Sequence, residues 1–245
     1  MINNITRRAF SSALIATPSI AFAGSYPLNK IGGRNLQISP TLINLGPEDT
    51  SAICSVWNNG TVPTTSQIRL MRWTQRNGKN ILTPTDEVAA SPPTMTVNPG
   101  DRQVVRIVNL SAKPRRNETA FRLLLNELPS SKALSGSGVQ VLIAFSVPVF
   151  LGGTASAPPR LSANIVHIGK QTFLRVHNHG SIHARIVNLD LKAGNRIVFR
   201  KMGLDGYVLP ETYFDIQIPN SAAQADMATM YIQTTSSPIN LRIGA

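Results

Sequence analysis

Side chains able to do chemistry are sparse in these 245 residues, and few stand at spacings that would let them act together. The densest group is His177-x-His179-x-x-x-His183. On a strand His177 and His179 alternate onto one face, which is how a metal site can begin. His183 follows Gly180 in a turn, and no nearby carboxylate or thiol completes a coordination shell. Surface and turn histidines are the expectation, and no metal is assigned. Asp86-Glu87 and Glu48-Asp49 are adjacent pairs in turn regions. Neighbours on a strand point to opposite faces, so neither makes an acid–base pair. Cys54 is the single cysteine, which excludes an internal disulfide and a zinc site built on several thiolates. It shares a strand face with Ala52 and Val56 and has no base beside it, so it reads as a small core residue. Gly-x-Ser-x-Gly, phosphate-loop and dinucleotide motifs do not occur. An enzyme, a cofactor and a small-molecule substrate are all unexpected.

The elements that carry these residues are written in short alternating runs. Hydrophobic residues make up 42% and charged residues 15%, which excludes a disordered tail and a membrane bundle. Seventeen Gly and seventeen Pro, spread along the chain, favour many short strands over long helices. Residues 1–23 are set apart as a secretory signal. Arg7-Arg8 precede a mildly apolar stretch, and Ala21-Phe22-Ala23 is a small-x-small cleavage site. The arginine pair suits the twin-arginine route and the general secretion route alike.

From Leu36 the expected strands are Leu36–Leu45, Ser51–Trp57, Ser66–Gln75, Gln103–Asn109, Thr119–Leu128 and Val139–Phe150. Arg76-Asn77-Gly78-Lys79 is a hairpin signal, since Asn-Gly suits the positive backbone angles of a tight turn. About seven strands at this spacing describe an immunoglobulin-like sandwich over residues 24–150. Residues 151–159, rich in Gly and Pro, break the pattern and read as a linker. Residues 160–245 then repeat the alternation as a second sandwich. The expectation is all-β, in two immunoglobulin-like domains.

A formal charge of +12, falling by two to +10 once the signal is removed, raises the question of nucleic acid. Only Lys113-Pro114-Arg115-Arg116 is clustered, and aromatic residues are 6%, so no stacking platform for bases is visible. A solvated loop is the simpler reading, and nucleic acid is set aside.

Across nearly the whole mature chain an ordered series of motifs resembles the periplasmic pilus-assembly chaperones of the chaperone–usher system, and most closely their archaic branch that serves spore-coat-U-like pilins. The residues are Gln67-x-Arg69-x-x-Arg72-Trp73-x-Gln75-x-x-Gly78, Pro84-Thr85-Asp86, Ser91-Pro92-Pro93 and Pro99-Gly100. They continue through Val105-Arg106, Ala120-Phe121-Arg122-Leu123-Leu124, Asn126-Glu127-Leu128-Pro129 and Phe145-Ser146-Val147-Pro148-Val149-Phe150. In the second half Leu174-x-Val176-x-Asn178-x-Gly180-x-x-His183-Ala184 and Gly206-Tyr207-Val208-Leu209-Pro210 match as well. The resemblance implies a boomerang of two sandwiches that binds pilin subunits and passes them to an outer-membrane usher. It also implies that the first domain lends an edge strand to a pilin lacking its last strand, a form of strand addition of which these chaperones are a standing example. A secreted adhesive or ligand-binding module of the same architecture is the alternative.

The residues read as the lending strand alternate Val139, Val141, Ile143 and Phe145 on one face, which is expected to point away from the domain's own core. Burying four such side chains contributes roughly 6–12 kcal/mol, much of it offset by ordering and association. Self-association of the free protein through this strand stays open. Classical members of the family hold the pilin carboxylate with an Arg on the first strand and a Lys ending the lending strand. Here Thr41 and Pro148 fall at those positions. Arg122 and Arg106 are the expected substitutes, being basic residues within apolar strands, with Arg122 favoured. The resemblance also implies an inter-domain salt bridge of Arg106, Glu118 and Asp226.

Overall fold

In the computed structural model the described residues are 35–111, 117–129, 141–153, 159–232 and 238–244. All of them belong to one compact unit, Ile31–Ala245. The signal at 1–23, Lys113 to Arg116, Val139 and most of the 151–159 segment lie outside the described residues.

Among the described residues, seventeen strands account for nearly all the regular structure. The first ten are β1 (Leu36–Ser39), β2 (Ile43–Leu45), β3 (Ser51–Asn58), β4 (Thr64–Arg76), β5 (Lys79–Pro84), β6 (Val88–Ser91), β7 (Thr94–Val97), β8 (Arg102–Asn109), β9 (Thr119–Glu127) and β10 (Ala144–Leu151). They form two sheets, I in the order β1-β3-β8-β6 and II in the order β2-β10-β9-β4-β5, with β7 also pairing β4. The remaining seven are β11 (Leu161–Ile168), β12 (Gln171–Asn178), β13 (Ala184–Ala193), β14 (Arg196–Val208), β15 (Thr212–Ile218), β16 (Met227–Ile232) and β17 (Ile239–Arg242). These form sheet III, β11-β12-β15, and sheet IV, β14-β13-β16-β17.

Each pair of sheets closes on its own core, as alternation requires when one face is wet. Cys54, Val56, Val105 and Ile107 of sheet I meet Ile68, Leu70, Phe121, Leu123 and Leu125 of sheet II. Leu174, Val176 and Ile216 of sheet III meet Ile186, Leu189, Leu191 and Met230 of sheet IV. One corner device appears in both sandwiches. Asn58 and Asn178 are fully buried, and each amide gives its Nδ2 hydrogens to two carbonyls. Each also takes a backbone N–H from the glycine two residues on, Gly60 or Gly180. A buried amide whose bonds are all made costs little, and it pins the chain reversal.

The run expected as one strand, Leu36–Leu45, is two. β1 pairs β3 in sheet I, whereas β2 pairs β10 in parallel in sheet II. Pro40 offers no N–H to continue a ladder, and the chain changes sheets there. The short β5, β6 and β7 between Lys79 and Val97 were hidden among turn residues. β10 also takes in Leu151, which pairs Thr119 and Leu45, so regular structure extends into the segment read as linker.

Cys54 is enclosed, with its thiol pushed up to about 11 by burial despite a backbone hydrogen bond that opposes the shift. Native protein at pH 8 is expected to leave Cys54 unmodified by a disulfide thiol reagent, with one thiol appearing on addition of denaturant. Prompt native-state reaction would place the residue at the surface. Because the folded thiol ionises later than the unfolded one, Cys54 also predicts stability that declines as pH rises from about 9 towards 11.

Candidate functional site

Strand β10 has two different sides. Along its whole length it pairs antiparallel with β9, from Ala144↔Asn126 to Leu151↔Thr119. On the other side β2 covers only Val149 to Leu151. Among the described residues no strand covers Ala144 to Pro148 there. The O of Ile143 accepts from Glu127 N at 2.9 Å, and Gly152 N donates to Leu45 O at 2.9 Å. Ladder alternation therefore turns the backbone groups of Ala144, Ser146 and Pro148 towards the open side. Pro148 contributes a carbonyl and no N–H, so the open edge offers N–H groups only at Ala144 and Ser146.

The side chains of β10 follow a gradient rather than a division of faces. Val141, just before the strand, is 77% exposed, Ile143 and Phe145 pack partly against the first core, and Val147, Val149 and Leu151 are buried in it. The lending face is therefore the outward continuation of the core face, and does not point away from the core as expected. The reason is the strict period of two: residues in register with Val149 must share its side of the sheet.

The opposite face of sheet II meets the second sandwich. Trp73, Ala120 and Phe150 pack with Tyr207 and Leu209, and Leu42 closes the group. Arg122, opposite Pro148, lies on this face, with its guanidinium carbon 3.8 Å from the Trp73 ring centre and 5.5 Å from that of Tyr207. It donates a long hydrogen bond, 3.4 Å, to Ser146 O on the open edge. Among the described residues no carboxylate pairs with it. Burial pushes its pKa down from the ordinary arginine value, with Tyr207 pulling the other way. Arg185, from β13, approaches the same Tyr207 ring at 5.8 Å, and its Nε is buried with no hydrogen-bond partner among the described residues. Burial raises the Tyr207 pKa, while Arg185 and Arg122 oppose that shift. Two guanidiniums from different sandwiches thus flank one phenol in a partly dry place, an arrangement suited to an incoming carboxylate.

The other expected site residues are dispersed. Arg106 alternates with the fully buried Val105 and Ile107, so it is exposed on the outer face of sheet I, beside Ile53 and Ser91. The whole first core separates that face from Arg122, and stacked sheets are about 10 Å apart. Arg106 therefore neither joins Arg122 nor reaches Glu118. Glu118 pairs instead with His183: both carboxylate oxygens are 2.9 Å from Nδ1, and Oε1 also accepts the His183 backbone N–H. Asp226 is remote from both and accepts from Gly194 N–H at the end of sheet IV. The salt bridge of Arg106, Glu118 and Asp226 is thus replaced by a Glu118–His183 pair. His183 is buried, not a turn histidine at the surface, and stacks on Phe150 with ring centres 3.6 Å apart. His177 and His179 do share a face, their rings parallel at 5.8 Å. Among the described residues no three His, Cys, Asp or Glu converge as metal ligands.

Residues 35–153 match the family model for the pili and flagellar-assembly chaperone, PapD N-terminal domain. That segment belongs to the pilus-assembly chaperones. No curated protein matches the chain. Solved structures repeat its fold. The CsuC–CsuE chaperone–tip adhesion subunit pre-assembly complex from archaic chaperone–usher Csu pili of Acinetobacter baumannii aligns with TM-score 0.70 and 21% identity, over 85% of this chain and 98% of that one. The Salmonella enterica SafA pilin complex with the SafB chaperone gives 0.59 and 16%, over 85% and 96%. The Pseudomonas aeruginosa CupB2 chaperone gives 0.56 and 15%, over 85% and 100%. At these identities the likeness is one of fold.

Several residues of this site escaped the sequence reading. Arg185 is a lone basic residue between apolar ones, and Tyr207 drew notice only as part of a motif. Nothing local says that Arg122 and Arg185 both approach the Tyr207 ring, since the contact spans two sandwiches. The Glu118–His183 pair yields a direct test of the interface. Glu118→Ala is expected to destabilise the protein by about 1–3 kcal/mol, because it strands a buried N–H and an imidazole. Glu48→Ala, in an exposed turn, should change stability by less than about 0.5 kcal/mol. Urea unfolding of the two variants checks the contrast; equal effects would remove Glu118 from the interface's stability.

Proposed function

We propose that the protein is a periplasmic, non-enzymatic chaperone of the archaic chaperone–usher branch that stabilises pilin subunits by donor-strand complementation and delivers them to an outer-membrane usher. Residues 1–23 act as the export signal, 24–150 as the domain that lends the strand and 160–245 as the second domain. The observation that carries the reading is β10: an apolar row that leaves its own core while one backbone edge has no partner among the described residues. An extended apolar edge is an aggregation hazard unless a partner covers it. A pilin lacking a strand is the complementary object, able to take both the backbone bonds and the Val141, Ile143 and Phe145 side chains.

Arg122 receives the pilin's terminal carboxylate, with Arg185 as the second basic group. The dry, aromatic-walled setting strengthens a bidentate pair there. This reading replaces the basic pair whose positions Thr41 and Pro148 occupy.

Periplasmic co-production with a candidate pilin subunit tests both parts. Ile143→Arg sets a charge in a groove that must dry, at a cost of several kcal/mol, so it should fold alone and capture no pilin. Arg122→Met should weaken capture by about 10- to 100-fold, the value of a hydrogen bond to a charged group. Its effect should vanish with a pilin whose C-terminus is amidated. Equal capture by wild type and Ile143→Arg would move recognition elsewhere on the molecule. A folded wild-type protein that captures no pilin would point instead to a secreted binding module.

A further inference from the structure

Beside the Asn77-Gly78 turn, Gln75 is buried between the two sandwiches with every hydrogen-bonding group of its amide engaged. Its Nε2 donates to Tyr207 O at 2.7 Å and to Asn80 Oδ1 at 2.9 Å. Its Oε1 accepts from Leu209 N at 2.9 Å and Thr212 Oγ1 at 2.8 Å. The amide has one sensible orientation, since a carbonyl requires the nitrogen and a backbone N–H requires the oxygen. Three of its four partners belong to the second sandwich, and one of these is Tyr207.

The fourth partner leads back to the basic site. Asn80 Oδ1 also accepts from Trp73 Nε1 at 3.0 Å, and the Trp73 ring carries the Arg122 guanidinium. A continuous chain of contacts therefore runs Arg122–Trp73–Asn80–Gln75–Tyr207. The adjoining turn makes a second contact with the other sandwich. Asn77 and Gly78 both have positive φ, and a Cβ at Gly78 would come 2.3 Å from Asp215 Oδ2. Asp215 N donates to Gly78 O at 3.4 Å. Only glycine allows so close an approach with that backbone.

We propose that Gln75 is a positioning residue that locks the second sandwich to the first, so that Tyr207 and Arg185 are held opposite Arg122. It touches neither the open edge of β10 nor any expected ligand, and acts through Tyr207 and Trp73. A fully satisfied buried amide suits this task because it tolerates few alternative geometries, whereas an apolar contact can slide. The functional meaning of the lock rests on the reading of Arg122 as the pilin anchor.

The test is the distance distribution between nitroxide labels at Gln37→Cys and Gln217→Cys, exposed positions on the two sandwiches, in full-length protein. Gln75→Glu keeps the size and the oxygen that accepts from Leu209 N and Thr212 Oγ1 but turns a second oxygen onto Tyr207 O and Asn80 Oδ1. It is expected at least to double the width of the distribution and to reduce capture of the co-produced pilin tenfold or more. Thr212→Val, which removes the hydroxyl that faces Gln75 Oε1 and Leu209 O and keeps the shape, should widen the distribution less, and it decides the matter should Gln75→Glu not fold. A wild-type distribution in the folded variants overturns the lock. A widened distribution with undiminished capture overturns its service to the pilin site. Failure of the wild-type protein to capture pilin would sink the functional reading, while the distance measurement, which needs no pilin, would still decide the lock.

Discussion

Backbone polar groups and apolar side chains must both leave water together if a strand is to join a sheet, and β10 meets that condition over only part of its length. From Val149 to Leu151 it is paired on both sides and buried. From Ala144 to Pro148 it is paired, among the described residues, on one side, and its outer residues emerge from the core one after another. The remaining architecture is arranged around this incomplete strand. Sheet II supplies β9 as its permanent neighbour, and β2, which the chain enters after leaving β1 of sheet I, caps the buried end. The second sandwich packs on the opposite face of the same sheet.

That second packing explains why the basic groups are where they are. An arginine within an apolar strand is costly unless its stem is packed and its charge accommodated. Trp73 and Tyr207 accommodate Arg122 through their ring faces, which favour a cation without neutralising it. The charge therefore remains available. Arg175 illustrates the contrast: its guanidinium, over the Tyr213 ring, is bound bidentately by Asp215, which raises its pKa and leaves little for a ligand. The same cation–aromatic motif is thus closed at one site and open at the other.

The contact between sandwiches is mixed in character. Trp73, Phe150, Tyr207 and Leu209 supply apolar area, while Gln75 and the Glu118–His183 pair supply direction. Apolar area alone holds surfaces together over a range of angles, and hydrogen bonds made by buried groups narrow that range. A cleft whose two walls come from different sandwiches depends on the second property as much as on the first.

Alternation made much of this legible in the sequence. A period of two is a local property, so Cys54, the core rows of β3, β8 and β9, the Asn77-Gly78 turn and the apolar row of β10 could be read residue by residue. The alternation could not say which side of a row was inside, and β10 proved to continue its own core rather than to oppose it. Nor could it divide Leu36–Leu45 between two sheets. Contacts between distant segments were beyond it altogether. Arg106 and Arg122 look alike in sequence, each a basic residue in an apolar strand, yet one faces solvent on sheet I and the other faces Tyr207. Glu118 finds His183, 65 residues away, and Gln75 finds Leu209, 134 residues away. Strand pairing was determined by the order of side chains along the chain. The meeting of guanidinium, phenol and amide was decided only by the packing of two sandwiches with separate cores, because no local pattern encodes the partner across such an interface.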